Sequence, residues 1–132
     1  MILLDTHALV WLAAGSPELG PTAIQTVERI RREDGLMVSA VSFWEIALLA
    51  TKGRLELTET AAEFRRRALK QGIAEIPLDG HIAVESVELA GLPSDPADRF
   101  IAASARVRKA TLLTADAGLL ESEAISTQDA RR

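Results

Sequence analysis

Short uninterrupted apolar runs alternate with longer stretches of helical periodicity along most of this chain. Met1-Ile2-Leu3-Leu4 leads into Asp5, and residues 1–5 read as a buried strand, followed by a short helix through Ala14 that Gly15-Ser16-Pro17 breaks. Residues 21–33 carry Ala23, Ile24, Val27 and Ile30 on one stripe, which predicts a helix closed by Asp34-Gly35. Leu36-Met37-Val38 is a second strand. Ser42 opens a helix to about Thr51, ended by Lys52-Gly53, and Thr58 opens the next, with Ala61, Ala62, Phe64, Ala68 and Leu69, up to Gly72. Ile73 to Ile76 is a third strand, ended by Pro77. Asp79 caps a helix through about Ala90, and Asp95 with Pro96 starts one running to about Lys109. Thr111–Thr114 is a fourth strand, a helical turn follows, and Ala124-Ile125-Ser126 is a candidate fifth, edge strand; the polar tail from Gln128 is expected to fray. Strands alternating with helices predict right-handed crossovers: an α/β fold of three layers, α/β/α, with a central parallel sheet of four or five strands.

Composition narrows the class. The chain has 132 residues, 48% of them hydrophobic, enough for one compact domain over 1–132 and too few for two. Aromatics are only 4%, so small and branched aliphatics must fill the core, which suits helices on a parallel sheet. Without cysteine there is neither a disulfide nor a thiolate metal site, and with only His7 and His81 a histidine-rich zinc site is disfavoured. Any metal would be held by oxygen, which favours Mg²⁺ or Mn²⁺. The N-terminal apolar run lacks a basic region and is interrupted by Asp5, so it does not read as a signal peptide, and no stretch approaches the length of a membrane span. A cytoplasmic location is the resulting expectation. The net charge of −4 argues weakly against a general nucleic-acid binder. Three basic clusters (Arg29, Arg31, Arg32; Arg65, Arg66, Arg67, Lys70; Arg106, Arg108, Lys109) are either phosphate-facing patches or the solvated faces of amphipathic helices.

Four acids change the picture. Asp5 follows the first strand, Asp116 lies just past the fourth, Glu45 sits inside Val41-Ser42-Phe43-Trp44-Glu45-Ile46-Ala47-Leu48-Leu49, and Asp98 begins an apolar helical segment. Each has a structural explanation taken singly. Asp5 is a favoured helix N-cap; Ser42-Phe43-Trp44-Glu45 fits the S-x-x-E capping box; Asp95 before Pro96 is a cap; Asp98 gains from the helix dipole; Asp116 suits a turn. Together these explanations weaken, because strand carboxyl ends and the helix N-termini after them share one edge of an open sheet, where ligands bind. Two unit charges about 4 Å apart repel by roughly 4 kcal/mol at an effective dielectric near 20. Three or four clustered acids therefore call for protonation or a cation, and a divalent cation supports phosphoryl chemistry. The hydroxyls of Thr6 and Thr114 stand beside acids at strand ends, placed to orient carboxylates or to make local turn bonds. Arg99 is either an ion-pair partner of Asp98 or a contact to a substrate phosphate.

The segments Leu3-Leu4-Asp5-Thr6-His7-Ala8-Leu9-Val10-Trp11, Ser39-Ala40-Val41-Ser42-Phe43-Trp44-Glu45-Ile46, Asp95-Pro96-Ala97-Asp98-Arg99-Phe100-Ile101-Ala102-Ala103 and Leu113-Thr114-Ala115-Asp116 together resemble a PIN domain, in particular the VapC-type toxins of bacterial toxin–antitoxin pairs. The resemblance spans nearly the whole chain in order; the ordered set, not any one motif, is specific. It implies a metal-dependent endoribonuclease that hydrolyses RNA phosphodiesters, with transfer or ribosomal RNA as substrate. It makes Asp5 and Asp98 the principal metal ligands, Glu45 and Asp116 the residues that complete the site or bind a second ion, and Asp95, Thr6 and Thr114 auxiliaries. Arg99 is then the first candidate for the substrate phosphate and the basic clusters the second. A homodimer and a VapB-like antitoxin are the implied partners. Trp11 and Trp44 are candidates for stacking on unpaired bases, against packing in the core or a dimer contact.

Two other readings compete. An aspartate-based phosphatase would use Asp5 as nucleophile, but the second acid expected two residues later is replaced by His7. A catalytically silent PIN-like partner-binding module would keep the fold without the chemistry.

Overall fold

The computed structural model describes residues 1–132, and its elements alternate as the apolar pattern predicts. They are β1 (Ile2–Leu4), α1 (Thr6–Ala14), α2 (Pro21–Arg32), β2 (Leu36–Ser39), α3 (Ala40–Thr51), α4 (Ala61–Lys70), β3 (Ala74–Ile76), α5 (Gly80–Glu88), α6 (Pro96–Arg108), β4 (Thr111–Thr114), α7 (Ala117–Leu120) and β5 (Thr127–Asp129). The five strands form one sheet in the order β3-β2-β1-β4-β5, and every pairing is parallel. Side chains alternate across this sheet as the pleat requires. Ile2, Leu4, Leu36, Val38 and Leu113 face a core made with α1 to α4, while Leu3, Met37 and Leu112 face a second core made with α5, α6 and α7. Both faces are buried, which is why the central strands β1, β2 and β4 carry near-continuous apolar runs and do not alternate. No helix is long and apolar enough to cross a membrane.

Two expectations about the chain's end are overturned. The fifth strand is Thr127–Asp129, three residues beyond Ala124-Ile125-Ser126, with Leu112 opposite Thr127 and Thr114 opposite Asp129. An edge strand has one neighbour and one covered side, so a polar Thr-Gln-Asp run suffices and no apolar signal marks it. Nor does the segment from Gln128 fray. Ala130 is fully buried, its carbonyl accepts from Gly20 N (2.9 Å), and the Arg132 carbonyl accepts from Thr22 N (2.8 Å). The latter bond satisfies one of the orphan N–H groups at the start of α2, whose N-cap, Gly20, offers no side chain. Gly20 is glycine for a steric reason as well. A Cβ there would fall 2.3 Å from the carbonyl carbon of Arg132 and 2.5 Å from that of Arg131.

The capping signals are also redistributed. Ser39, not Ser42, caps α3, its hydroxyl accepting from Val41 N at 3.1 Å. The reciprocal capping box is made instead by Thr60 and Glu63 at the start of α4. β2 runs on to Ser39, so the chain turns there. Ser42 falls one turn inside the helix, fully buried, where its hydroxyl meets a partner from α1.

Candidate functional site

In the order β3-β2-β1-β4-β5 the direction of chain progression reverses between β1 and β4. The carboxyl ends of those two strands flank the switch point where doubly wound sheets bind ligands. Asp5 leaves β1 there and Asp116 leaves β4 through Ala115. A hollow of about 350 Å³ opens at this edge, lined by Asp5, His7, Trp11, Glu45, Asp95, Asp98, Ala115, Asp116 and Arg131. All four acids singled out in the sequence, and Asp95, therefore border one cavity.

Each acid is held differently. Asp5 is 5% exposed. Its Oδ1 accepts from Thr6 N at 2.7 Å and its Oδ2 from the Thr114 hydroxyl at 2.6 Å. Thr114 is fully buried and its oxygen also accepts from Asp116 N at 3.1 Å, so one hydroxyl ties the acid after β1 to the acid after β4. Burial raises the Asp5 pKa, opposed by the bonds from Thr114 and Thr6. Glu45 is half-buried on the second turn of α3. The Thr6 hydroxyl lies 2.6 Å from its Oε1 and 2.9 Å from Ser42 Oγ. A hydroxyl has one proton; an ionised carboxylate has none to give, so Thr6 donates to Glu45 and accepts from Ser42. The Ser42-Phe43-Trp44-Glu45 capping box is thus replaced by a relay from one helix to another. Burial raises the Glu45 pKa too, against the Thr6 bond.

Asp95 caps α6 by accepting from Asp98 N at 3.0 Å, as its sequence position predicts. Asp116 caps α7, its Oδ2 accepting from Leu119 N at 2.9 Å. Asp98 stands apart, because no hydrogen bond supports its carboxylate. Burial and then the charges of Asp5, Asp95, Asp116 and Glu45 push its pKa up to about 7. Asp5 has two hydrogen bonds that favour its ionised form, whereas the Asp98 carboxylate has none.

This carries a pH prediction. Unfolded, Asp98 titrates near 3.8. Between there and about 7 the folded state keeps a proton that the unfolded chain has released, so stability declines as pH rises through that window and levels off above it. Asp5 and Glu45, also raised, act in the same direction. Calorimetry in EDTA should show the melting temperature falling between about pH 4 and pH 7, with a smaller fall in Asp98→Asn. An equal fall in the variant would remove Asp98 as its source.

The set matches a hard divalent cation in donor type, since it is all oxygen and carries more negative charge than it can hold unrelieved. As they stand, no three of its acid or histidine side chains are arranged to grip one ion. Asp98, with no hydrogen bond, is the member free to turn.

The basic residues are placed otherwise than the sequence suggests. Arg99 does not serve the hollow. Its guanidinium, half-buried against α5 and the loop after it, donates to the carbonyls of Ser86, Val87, Leu89, Leu92 and Pro93 at 2.7–3.3 Å. The three clusters lie mainly in the last turns of α2, α4 and α6. There they complement the helix dipoles, at the sheet edge opposite the hollow. Arg65 and Arg67 are further engaged with Glu75 and Glu59, at 2.7 Å each. Trp11 borders the hollow, whereas Trp44 is 58% exposed beside an apolar groove that includes Leu78 and Phe100. The residues that sequence reasoning left out are His7 and Arg131. His7 was legible only as a neighbour of Asp5, and Arg131 fell within the tail expected to fray.

Comparisons with known proteins bear on the family and the fold. A family model described as the PIN domain matches residues 2–123. Ribonuclease VapC22 of Mycobacterium tuberculosis (strain ATCC 25618 / H37Rv) is 32% identical over 116 residues, covering 87% of this chain and 86% of that protein. Among solved structures, VapBC2 from Rickettsia felis bound to a DNA fragment from their promoter superimposes with a TM-score of 0.73 at 18% identity, covering 97% of this chain and 98% of that one. FitAcB from Neisseria gonorrhoeae gives 0.68 at 22% identity, covering 98% and 97%. At such identities these structures establish the fold alone. With a family match over almost its full length, and five acids gathered at the switch point of a five-stranded parallel sheet, the chain belongs to the PIN domain family.

Proposed function

We propose that this protein is a divalent-metal-dependent endoribonuclease, the toxin of a toxin–antitoxin pair, contained in a single domain over 1–132. The observation that carries the reading is the convergence of Asp5, Glu45, Asp98 and Asp116 on one hollow; the ribonuclease relative supports it. Asp5 and Asp98 are the principal ligands in this reading, and Glu45 and Asp116 complete the set. A bound Mg²⁺ or Mn²⁺ supplies Lewis acidity toward a phosphoryl oxygen and a nucleophile at neutral pH. The chain's own residues do the positioning. Thr114 and the Thr6 N–H fix both oxygens of Asp5, the Thr6 hydroxyl aims Glu45, and Asp95 and Asp116 hold the first turns of α6 and α7 against the cavity. Substrate is RNA, transfer or ribosomal, presented as an accessible single-stranded loop.

A VapB-like antitoxin is the expected inhibitor; the toxin–antitoxin complex from Klebsiella pneumoniae shares the fold, with a TM-score of 0.65. A homodimer would cover the apolar face around Trp44, Leu78, Val84 and Val87, all exposed. Light scattering that found Trp44→Glu in the same oligomeric state as the parent would remove that face from the assembly. For the activity, the freed protein is incubated with total RNA, with Mg²⁺ or Mn²⁺ and with EDTA, and the new ends are mapped. Discrete metal-dependent ends, lost when the co-expressed partner is added back, are the expected result; intact RNA in every arm defeats the reading.

A further inference from the structure

We infer that Arg131, seated over Trp11 at the rim of the acid hollow, is the residue that holds the RNA phosphate next to the scissile one. The inference rests on the ribonuclease reading and adds to it the basic side chain that reading lacks. A polyanion approaching five carboxylates needs a positive contact. Arg99 has none to offer, since its donors are used on five carbonyls, and the basic clusters lie at the opposite edge of the sheet. Among the residues lining the hollow, Arg131 is the one lysine or arginine.

Its setting suits the task. The guanidinium carbon lies 5.7 Å from the centre of the Trp11 ring, so the indole orients the cation without using its hydrogen-bond donors. Its ion-pair partner, Glu18, is 3.9 Å away, and both side chains are about 60% exposed, which makes that contact weak and easily exchanged for phosphate. The backbone beneath is rigid. Arg131 N donates to Asp129 Oδ1 at 2.9 Å, and the flanking carbonyls of Ala130 and Arg132 are bound by Gly20 N and Thr22 N. A planar fork held on a firm backbone beside an aromatic face fits one phosphate and one stacked, unpaired base.

The test uses a fluorescently labelled, unstructured RNA oligonucleotide with the full chain. Binding is read by anisotropy in Mg²⁺ at several salt concentrations, in the Asp5→Asn background, which spares the probe. Arg131→Gln should weaken binding roughly tenfold and lower the slope of log affinity against log salt by about 0.7, one phosphate contact on a single strand. Arg131→Lys should restore the slope and only part of the affinity, having the charge without the fork. Gly20→Ala, which displaces the 131–132 backbone, should weaken binding in the same way with Arg131 still present. Melting temperatures should stay close to the parent's for both Arg131 variants. An Arg131→Gln protein that binds with the parent's affinity and slope overturns the assignment alone. A parent that binds no RNA, together with a wild-type chain that cleaves none, overturns the ribonuclease reading and the assignment with it.

Discussion

Asp5→Asn should abolish RNA cleavage, lowering the rate by at least about a thousandfold, the scale expected when a central electrostatic element of an active site is removed. The fold should survive, because the change is isosteric and the site accommodates it. The amide oxygen still accepts from Thr6 N, and the amide nitrogen can donate to the Thr114 hydroxyl, which now turns its proton away. Stability in EDTA should rise, since the substitution deletes a buried charge that also repels Asp98. The pairing of the two results is the informative part. A capping residue replaced by asparagine, itself a good cap, changes neither activity nor stability much. A member of an overcharged cluster loses the activity and gains stability. Wild-type cleavage rates in the variant, measured with Mg²⁺ present, would show that Asp5 is only the cap of α1. A silent module and an active enzyme are separated by the same experiment.

The second large effect concerns a residue whose sequence context points the wrong way. Arg99→Ala should cost about 3 kcal/mol and lower the melting temperature by roughly 12 °C, because several carbonyls lose a charged donor at once. Two of them, Ser86 and Val87, are orphan acceptors of the last turn of α5, and three more come from the segment Leu89–Pro93. Arg99 thus fastens the end of α5 and the loop leading to Asp95. Lysine should rescue little of the loss, since one ammonium cannot span the spread of a five-donor fork. Urea denaturation of the two variants reads this directly. Unchanged midpoints together with a raised KM for RNA would return Arg99 to the role of phosphate contact.

How much of this was legible beforehand depends on how local each cause is. Asp95 was read correctly as a cap because Pro96 and the apolar segment behind it form a local signal, and the bond it makes lies within four residues. The S-x-x-E pattern at Ser42 and Glu45 is equally local and misled, because β2 extends to Ser39 and claims the turn. What replaces the capping box, a hydroxyl bond from Thr6, joins residues 39 apart. Arg99 misled for a similar reason: adjacency to Asp98 in sequence placed it at the site, but α6 turns successive side chains about 100° apart. Arg131 was invisible, because a polar tail ordinarily lacks the burial needed to order it. Here order comes from the edge pairing of β5 and from Gly20 and Thr22.

By itself, the amino-acid order determined the alternation of elements, the two-sided burial of the strands and the positions of acids at strand ends and helix starts, because those follow from periodicity and the chemistry of single turns. The tertiary structure decided which groups share an environment. It made Thr114 a bridge between acids 111 residues apart, left Asp98 without a donor, turned Arg99 into a fastening for α5 and carried Arg131 to the rim of the hollow. The physical reason is that repulsion, desolvation and hydrogen bonding depend on distances through space, and in a parallel sheet those are set by strand order and register, which no segment of the chain contains.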